Sequence, residues 1–339
     1  MNRKSSCGIP LAQETTQPGK EEYLGKGDEF IYNHPRLLQL IDDIIDCIMN
    51  DKRPDIYFAV TMKDELKKLE KLLARIFAAG PLQYSVLFRE YYLDYFAATM
   101  EQRIFNSSLI GINMLSSDVD VLVGYLLEVA HPSERAFLAG DFKNFDGTLM
   151  SCLLWEIYEI IEQFYGRESK ITRALWLEIT DSRQVFGNAV AHIASGQPSG
   201  NPATTFVNTM YNTALLYLVI SKILLKVGTS EAFEVRANLT EHLRVVTYGD
   251  DNLMSFSQTL RRLIDPKEIT LMMKTLGHTY TNDAKDGKEL EYKLLSEVSI
   301  LKRTFSFDPV HGWIAPLELV SILECLNWDK VDKIGRAHV

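Results

Sequence analysis

The sequence predicts an α+β fold with an antiparallel sheet flanked by helices, and two observations carry this prediction. Helical and strand-like patterns are mixed along the chain without a regular strand–helix–strand alternation, so a parallel, doubly wound sheet is not favoured. Residues 244–248 and 252–256 are strand-like runs, and the Gly-Asp-Asp at 249–251 between them favours a tight antiparallel hairpin.

The N-terminal part of the chain begins with a loop and continues into mixed structure. Residues 1–35 are rich in Gly, Pro, Ser and Thr, which favour loops. At 37–49, apolar residues recur at helical spacing on one face, so an amphipathic helix is predicted. Short apolar runs at 56–60 and 75–79 predict strands, and the basic stretch at 63–71 between them is a helix or a loop.

The same patterns predict the remaining elements. Further helices are predicted at residues 87–104, 118–130, 149–165, 171–181, 203–227, 266–276 and 316–326. Ser117 is the expected N-cap of the second of these helices. The apolar run at 136–140 predicts a buried strand that ends at Asp141, and strands are also expected within 298–307.

The composition is that of a chain able to build a large core. Its 339 residues are 46% apolar and 24% charged, which excludes collagen-like, disulfide-framework and wholly disordered classes. With 45 Asp and Glu against 36 Lys and Arg, the formal net charge is -9. An acidic balance is unfavourable for binding nucleic acid, because phosphate contacts need clustered Lys and Arg. The local basic run from Lys63 to Arg75 nevertheless supplies such a cluster.

Cysteine usage and hydropathy predict an intracellular chain without a membrane span. The four cysteines form no CxxC pair and no metal-ligand spacing, so reduced thiols are expected. The first twenty residues contain no apolar core of a signal peptide. The most apolar run, at 214–220, is too short to span a bilayer, and Lys222 follows it. No transmembrane segment is therefore predicted.

Two groups of carboxylates adjoin the predicted strands. Asp141 follows the strand at 136–140, and Asp250 and Asp251 lie at the tip of the hairpin. Neighbouring carboxylates beside apolar strands repel one another and lose solvation, so they favour a compensating cation. Mg²⁺ is suited to this position, because it binds carboxylate oxygens together with substrate phosphates. A plain surface turn, which Gly and Asp favour on their own, remains the alternative.

A polar loop and helix start supply a third group. Residues 199–208 form a Gly/Pro loop that opens the helix at 203–227, and Thr204 and Asn208 are spaced to lie on one helical face. If a turn follows the strand ending at Asp141, Asp146 can pair with Asn208 and hydrogen-bond a ribose 2′-hydroxyl. Such a site rejects the deoxy analogue, because its buried polar groups would lose their partner. The alternative is a capped helix whose polar residues face water.

The order of these motifs resembles that of palm motifs A, B and C of viral RNA-dependent RNA polymerases of the picornavirus-like group, including dicistrovirus-like viruses. Further segments agree in order with the family's template-entrance, fingers, lysine and primer-grip motifs, namely residues 5–10, 63–77, 283–285 and 301–303. The resemblance implies a right-hand polymerase fold. It also implies template-directed transfer of NMP from an NTP to an RNA 3′-hydroxyl, for viral genome replication and transcription.

The resemblance implies roles for individual residues. Asp141 and Asp250 would bind two Mg²⁺ or Mn²⁺ ions, with Asp251 in support, and Lys285 would protonate the leaving pyrophosphate. The implied nucleotide-binding residues are Asp146, Ser199, Gly200, Thr204 and Asn208 for the ribose and Lys63, Lys67 and Arg75 for the triphosphate. The implied RNA-binding residues are Ser6, Gly8, Lys302 and Arg303. For Lys67 and Lys285, ordinary solvent-exposed lysines remain the alternative.

The resemblance also implies a division into subdomains. Fingers would comprise 1–98 and an insertion at 178–198, the palm 99–177 with motif A and 199–307 with motifs B to E, and a thumb stub 308–333. On this basis we expect the N-terminal fingers and most of the thumb to be missing. The last six residues, 334–339, resemble a translated sequencing adapter and are excluded from the fold prediction.

The implied partners are an RNA template, a primer or product strand and NTPs, while a viral protein primer and other replication proteins remain open. The implied location is the host cytoplasm, at membrane-associated replication complexes. Two other functions remain as alternatives. A reverse transcriptase shares the paired aspartates but excludes the 2′-hydroxyl with a bulky residue, contrary to Asp146 and Asn208. A truncated or integrated viral remnant would bind RNA without catalysis.

Overall fold

The computed structural model describes residues 3–63, 75–166, 168–283 and 288–326. It has two compact units: Met1–Ala98 with Asn144–Tyr211, and Thr99–Lys143 with Asn212–Val339. Helices and mainly antiparallel strands occur in both units, so the predicted α+β class is confirmed.

The elements are numbered in chain order. The helices are α1 (Leu11–Glu14), α2 (Glu21–Leu24), α3 (Pro35–Met49), α4 (Leu82–Glu101), α5 (Asp118–Leu127), α6 (Ser151–Tyr165), α7 (Lys170–Thr180), α8 (Thr204–Val227), α9 (Ser230–Ala237), α10 (Gln258–Leu263), α11 (Pro266–Thr275) and α12 (Leu319–Leu326). The strands are β1 (Phe58–Met62), β2 (Ile76–Ala79), β3 (Phe137–Lys143), β4 (Ser182–Phe186), β5 (Ala189–Ile193), β6 (Leu243–Tyr248), β7 (Asp251–Phe256), β8 (Thr279–Asn282), β9 (Ser299–Ile300), β10 (Arg303–Thr304), β11 (Ser306–Asp308) and β12 (Gly312–Ile314).

The first unit contains a four-stranded sheet in the order β2-β1-β4-β5. The β1–β2 and β4–β5 pairs are antiparallel, and β1 and β4 are parallel. Its core is rich in aromatic side chains: Tyr92 of α4 stacks on Phe88 with ring centroids 4.3 Å apart and contacts Trp176 of α7 at 5.9 Å. Fully buried aromatic rings of this size remove a large apolar area from water and hold α4 against α7.

The second unit is built on an antiparallel sheet in the order β6-β7-β3-β8. In β3 and β7 nearly every residue is buried, which matches their position as the two central strands. Gly140 of β3 pairs with Asn252 of β7, and Asp141 pairs with Thr281 of β8. This register brings the end of β3 beside the β6–β7 hairpin.

Helix α8 is the one helix in the described ranges that is long and apolar enough to cross a membrane, judged by length and composition. Within the second unit, several of its apolar side chains are fully buried, namely Leu215, Leu216, Val219, Ile220 and Leu224. Burial of these five side chains is what the apolar face of a core helix shows.

Several predicted boundaries need correction. Helix α4 begins at Leu82, directly after Pro81, rather than at residue 87, because proline is compatible with a helix start. Ser117 does not cap α5, since its side chain makes no capping bond and Ser116 Oγ instead accepts from the Asp118 N–H at 3.2 Å. The β4–β5 hairpin was not predicted, although Gly-Asn at 187–188 separates two strand-like runs.

Candidate active site

The predicted carboxylates of the second unit lie on β3 (Asp141) and in the β6–β7 hairpin (Asp250 and Asp251). Tyr248 pairs with Asp251, so Gly249 and Asp250 form a two-residue turn, and Gly249 has the positive φ (62°) that such a turn requires. Asp250 is exposed at this turn, whereas Asp141 and Asp251 are half-buried. Since paired strands lie about 4.8 Å apart, the register places the backbone of Asp141 next to that of Asp251.

The donor chemistry of this site fits a hard divalent cation. In the part of the chain that the structure describes, no group of three or more His, Cys, Asp or Glu side chains is placed to hold a metal ion. Mg²⁺, however, commonly uses only one or two protein carboxylates and completes its shell with substrate phosphates and water. The carboxylates of Asp141 and Asp250 are oxygen ligands of the type that Mg²⁺ and Mn²⁺ prefer.

Asn252, which follows the paired aspartates, ties the two central strands together. Its side chain is 2% exposed, and its Nδ2 donates to Gly140 O at 3.2 Å and to Asp250 O at 3.3 Å. Its Oδ1 accepts a hydrogen bond from the Tyr280 hydroxyl at 2.7 Å. The Asn252 side chain therefore links the turn at Gly249 and Asp250 to both β3 and β8.

The Tyr280 ring requires a glycine at position 140. A Cβ atom on Gly140 would lie 2.1 Å from Tyr280 Cζ, which is shorter than any real contact. Burial raises the pKa of Tyr280, and the charges of Asp283 and Asp141 raise it further. The hydroxyl is therefore protonated at neutral pH and can donate to Asn252.

Asn212 of α8 holds the other side of the turn. It is fully buried, and its Nδ2 lies within hydrogen-bond distance of three successive carbonyl oxygens: Gly249 at 3.1 Å, Asp250 at 3.0 Å and Asp251 at 3.3 Å. Because these carbonyls belong to the turn itself, one amide restrains its whole backbone.

In the first unit, the structure brings Asp146 and Asn208 together. Asn144 takes a left-handed conformation (φ 54°) after β3, and a 3₁₀ turn, Phe145–Gly147, follows it. This is the turn that the sequence required after Asp141. Asn208 Nδ2 donates to Asp146 Oδ1 at 2.7 Å, and Asn208 is 7% exposed.

The loop before α8 packs against β2 through Ser199, Gly200 and Thr204. Gly200 N–H donates to Ala78 O at 2.9 Å, and a Cβ at position 200 would lie 2.3 Å from that oxygen. Ser199 Oγ accepts from the Ala78 N–H at 3.4 Å. Thr204 Oγ1 lies within hydrogen-bond distance of Ser199 O (3.0 Å) and Asn201 O (2.9 Å). These bonds hold the loop and the helix start in one conformation.

Lys63 and Arg75 lie at the open end of the β1–β2 pair. The Lys63 N–H donates to Arg75 O at 2.7 Å, and both side chains are exposed. The intervening residues 64–74 lie outside the described residues, and so does the prediction for Lys67. The prediction for Lys285 and the adapter prediction for 334–339 also lie outside them.

The predicted template-entrance residues form a tight backbone contact. Ser6 Oγ accepts from the Gly8 N–H at 3.1 Å. Gly8 has φ 68°, and a Cβ there would lie 2.7 Å from Pro81 Cα, so a larger residue would force the loop away. Leu82 N–H donates to Cys7 O at 2.8 Å, which anchors the same loop at the start of α4.

The predicted primer-grip residues lie in a turn between β9 and β10. Leu301 and Lys302 both have positive φ, 53° and 59°, as in a two-residue hairpin turn. Lys302 is exposed, whereas the half-buried Arg303 donates to Ala315 O at 2.6 Å. Arg303 therefore also supports the local fold.

Sequence reasoning missed four polar side chains that support these groups: Gln197, Asn201, Asn212 and Tyr280. Asn212 had a usable signal, since it lies one helical turn after Asn208 on the same face of α8. The other three stand in runs of ordinary loop or strand residues, and nothing in the sequence indicates their burial or their partners.

Comparisons with known proteins identify the family of the chain. A sequence model described as viral RNA-dependent RNA polymerase matches residues 1–336. The chain is 32% identical to the replicase polyprotein of Drosophila C virus (strain EB), covering 97% of this chain and 20% of that protein. It is also 32% identical to the replicase polyprotein of acute bee paralysis virus (strain Rothamsted), covering 97% and 18% respectively. The chain thus spans about a fifth of the length of these curated relatives.

A solved structure shares the fold. The Sicinivirus 3Dpol RNA dependent RNA polymerase superposes with a TM-score of 0.77 at 20% identity, covering 98% of this chain and 66% of that one. The likeness confirms the predicted right-hand polymerase fold.

Proposed function

Because the chain belongs to the viral RNA-dependent RNA polymerase family, we propose that it carries out template-directed RNA synthesis. In this reaction the 3′-hydroxyl of an RNA strand attacks the α-phosphate of an NTP and releases pyrophosphate. The observation that supports the proposal most strongly is the pairing of β3 with β7, which sets Asp141 beside the Asp250–Asp251 hairpin. The biological role would be viral genome replication and transcription.

Family membership implies a divalent-metal-dependent polymerase. We infer that Asp141 and Asp250 hold two Mg²⁺ or Mn²⁺ ions, with Asp251 in support. When bound, such ions lower the pKa of the attacking hydroxyl and stabilise the charge of the leaving pyrophosphate. The protein's own contribution is to hold the carboxylates in place, through Asn252 from the strands and Asn212 from α8.

We assign recognition of the ribose to Asp146 and Asn208, whose 2.7 Å hydrogen bond supports the assignment. A carboxylate accepts a hydrogen bond from a hydroxyl, so a deoxynucleotide would deprive the half-buried Asp146 carboxylate of this donor. Ser199, Gly200 and Thr204 shape the adjoining loop and complete the nucleotide site.

The remaining assignments concern the triphosphate, the leaving pyrophosphate and the RNA strands. Lys63, Lys67 and Arg75 would bind the triphosphate, where Arg offers paired donors and Lys a point charge. Lys285 would supply the proton for pyrophosphate. Ser6 and Gly8 would contact the template, and Lys302 and Arg303 the primer strand.

We also propose functional subdomains, which are a different division from the two compact units. Fingers comprise residues 1–98 and 178–198, the palm 99–177 and 199–307, and the thumb portion 308–333. The proposed partners are template RNA, a primer or product strand and NTPs. The proposed setting is a membrane-associated replication complex in the host cytoplasm, as for viral replicases.

The test is primer extension by the full chain on templates that differ only in the next base. The prediction is that each template directs incorporation of its complementary NTP, and that dNTPs are used far less well. Incorporation that ignores the template base, or use of dNTPs at rates comparable to NTPs, contradicts the proposal. The second result would favour a reverse transcriptase.

A further inference from the structure

Four side chains of the first unit form a continuous chain of hydrogen bonds that ends on Asp146. Asn201 Nδ2 donates to Gln197 Oε1 at 2.9 Å, and Gln197 Nε2 donates to Asn208 Oδ1. Asn208 Nδ2 then donates to Asp146 Oδ1 at 2.7 Å. We call these residues the amide relay.

The groups at the two ends of the amide relay determine which amide atoms donate and which accept along it. At its start, the Ala203 backbone N–H donates to Asn201 Oδ1 at 2.8 Å, and a backbone N–H can only be a donor. At its end stands an Asp146 carboxylate oxygen, which accepts when ionised. A flipped amide at any position would place donor against donor or acceptor against acceptor.

A further contact supports the same direction. Asn201 Nδ2 also donates to Pro198 O at 2.9 Å, which is an acceptor with no alternative role. Gln197, Asn201 and Asn208 are 6%, 6% and 7% exposed, so water has little access to replace a lost partner. In such surroundings successive hydrogen bonds polarise one another, and an unpaired polar atom is costly.

We propose that Gln197 and Asn201 are positioning residues for sugar selection, acting by fixing the orientation of the Asn208 amide. The relay keeps the Asn208 donor toward Asp146 and its oxygen toward Gln197. This deepens the proposed function and rests on it, because it presupposes that Asp146 and Asn208 recognise the ribose. The residues act through Asn208 and need no contact with the nucleotide.

Two substitutions separate this role from general support of the fold. Gln197→Glu keeps the shape of residue 197 but removes its donor, so Asn208 is driven to turn its oxygen toward Asp146. Asn201→Asp retains the acceptor for the Ala203 N–H and removes the amide that donates to Gln197 and to Pro198 O. The effect of the first substitution should exceed that of the second, since it breaks the bond made directly to Asn208.

The experiment measures kcat/KM for an NTP and for the matching dNTP in primer extension. For Gln197→Glu we expect the ribose-to-deoxyribose ratio to fall roughly 5- to 30-fold, as loss of one buried hydrogen bond allows. The fall should come from a lower kcat/KM for the NTP, with the dNTP value nearly unchanged. Gln163→Glu on the exposed face of α6 is the matched control and should leave the ratio unaltered.

A second measurement does not depend on activity. In protein labelled with ¹⁵N at Asn and Gln side chains, the Asn208 amide signals should shift and exchange faster in Gln197→Glu than in Gln163→Glu. Equal losses for NTP and dNTP, or an unchanged ratio together with shifted Asn208 signals, would overturn the positioning role while leaving the proposed function intact. If the unsubstituted protein does not discriminate between NTP and dNTP, the proposed ribose site itself is wrong.

Discussion

At the residue scale, the β6–β7 hairpin depends on a contact between three residues on neighbouring strands: Gly140, Tyr280 and Asn252. Tyr280 lies over Gly140, where a Cβ has no room, and its hydroxyl donates to Asn252. Asn252 in turn donates to the backbone on both sides of the paired aspartates. Gly140, Tyr280 and Asn252 therefore depend on one another.

Removing the hydroxyl tests this contact. Tyr280→Phe leaves the buried Asn252 Oδ1 without its donor, so the free energy of unfolding should fall by about 1–3 kcal/mol in urea titrations. Tyr32→Phe is the matched control, because Tyr32 is 83% exposed, and it should change stability by less than about 0.5 kcal/mol. Equal stability of the two variants would refute the role given to the hydroxyl.

Two glycine substitutions should have opposite effects. Gly140→Ala forces the Tyr280 ring out of place and should destabilise the protein by about 1–3 kcal/mol. Gly124→Ala in α5 meets no atom within 4 Å and should stabilise it by about 0.5–1 kcal/mol, because alanine is the better helix former. Thermal unfolding of both variants checks the signs, and stabilisation by Gly140→Ala would contradict the packing described.

At the element scale, the hairpin and α8 act together through Asn212. A two-residue turn with an exposed aspartate would fray if only its strands restrained it, since its carbonyls lie at the sheet's end. The Asn212 amide within reach of three of them supplies the missing restraint. Helix α8 therefore contributes a polar side chain as well as apolar burial.

Hydrogen exchange can detect this restraint. In Asn212→Ala, amide exchange in residues 245–254 should accelerate by roughly 5- to 30-fold, corresponding to the loss of one or two kcal/mol of local stability. The exposed Asn33→Ala is the matched control and should leave that segment unchanged. Identical exchange in both variants would show that the turn does not depend on α8.

The predictability of the elements followed the strength of their local patterns. The amphipathic helix α3 and the β6–β7 hairpin were predicted nearly at their observed bounds, because each has a clear period or turn signal. The side chains that fix the site were harder to predict. Asn201 and Gln197 are ordinary loop residues in sequence, and only tertiary packing brings them to Asn208.

At the scale of the whole molecule, the family resemblance was the strongest part of the sequence prediction and is confirmed. The order of several motifs indicates the family even where a single motif is ambiguous, because Gly-Asp-Asp alone also suits a surface turn. The pairing of β3 between β7 and β8 could not be predicted in the same way, because strand order arises from contacts far apart in sequence.

A buried histidine should make stability depend on pH. Burial lowers the pKa of His278, which is 1% exposed, so the unfolded chain binds a proton more readily than the folded one. The contribution of neutral His278 to the free energy of unfolding is fully present above the unfolded-state pKa of about 6.5. It is lost as the pH falls below that value, by at most about 1.4 kcal/mol per pH unit.

The comparison of two variants isolates this effect. His278→Phe should flatten the decline of unfolding free energy between pH 6.5 and 5, whereas the exposed His131→Phe should retain it. Urea titrations at several pH values provide the measurement. The same pH dependence in both variants would exclude His278 as the source.

The most direct test of the central claim compares Asp250→Ala and Asp141→Ala with the exposed helix variant Asp42→Ala in primer extension with Mg²⁺. If the two strands hold the catalytic carboxylates, both site variants fold and lose extension to background, while Asp42→Ala extends like the unsubstituted protein. Extension by Asp250→Ala at the rate of Asp42→Ala would contradict the assignment of the active site.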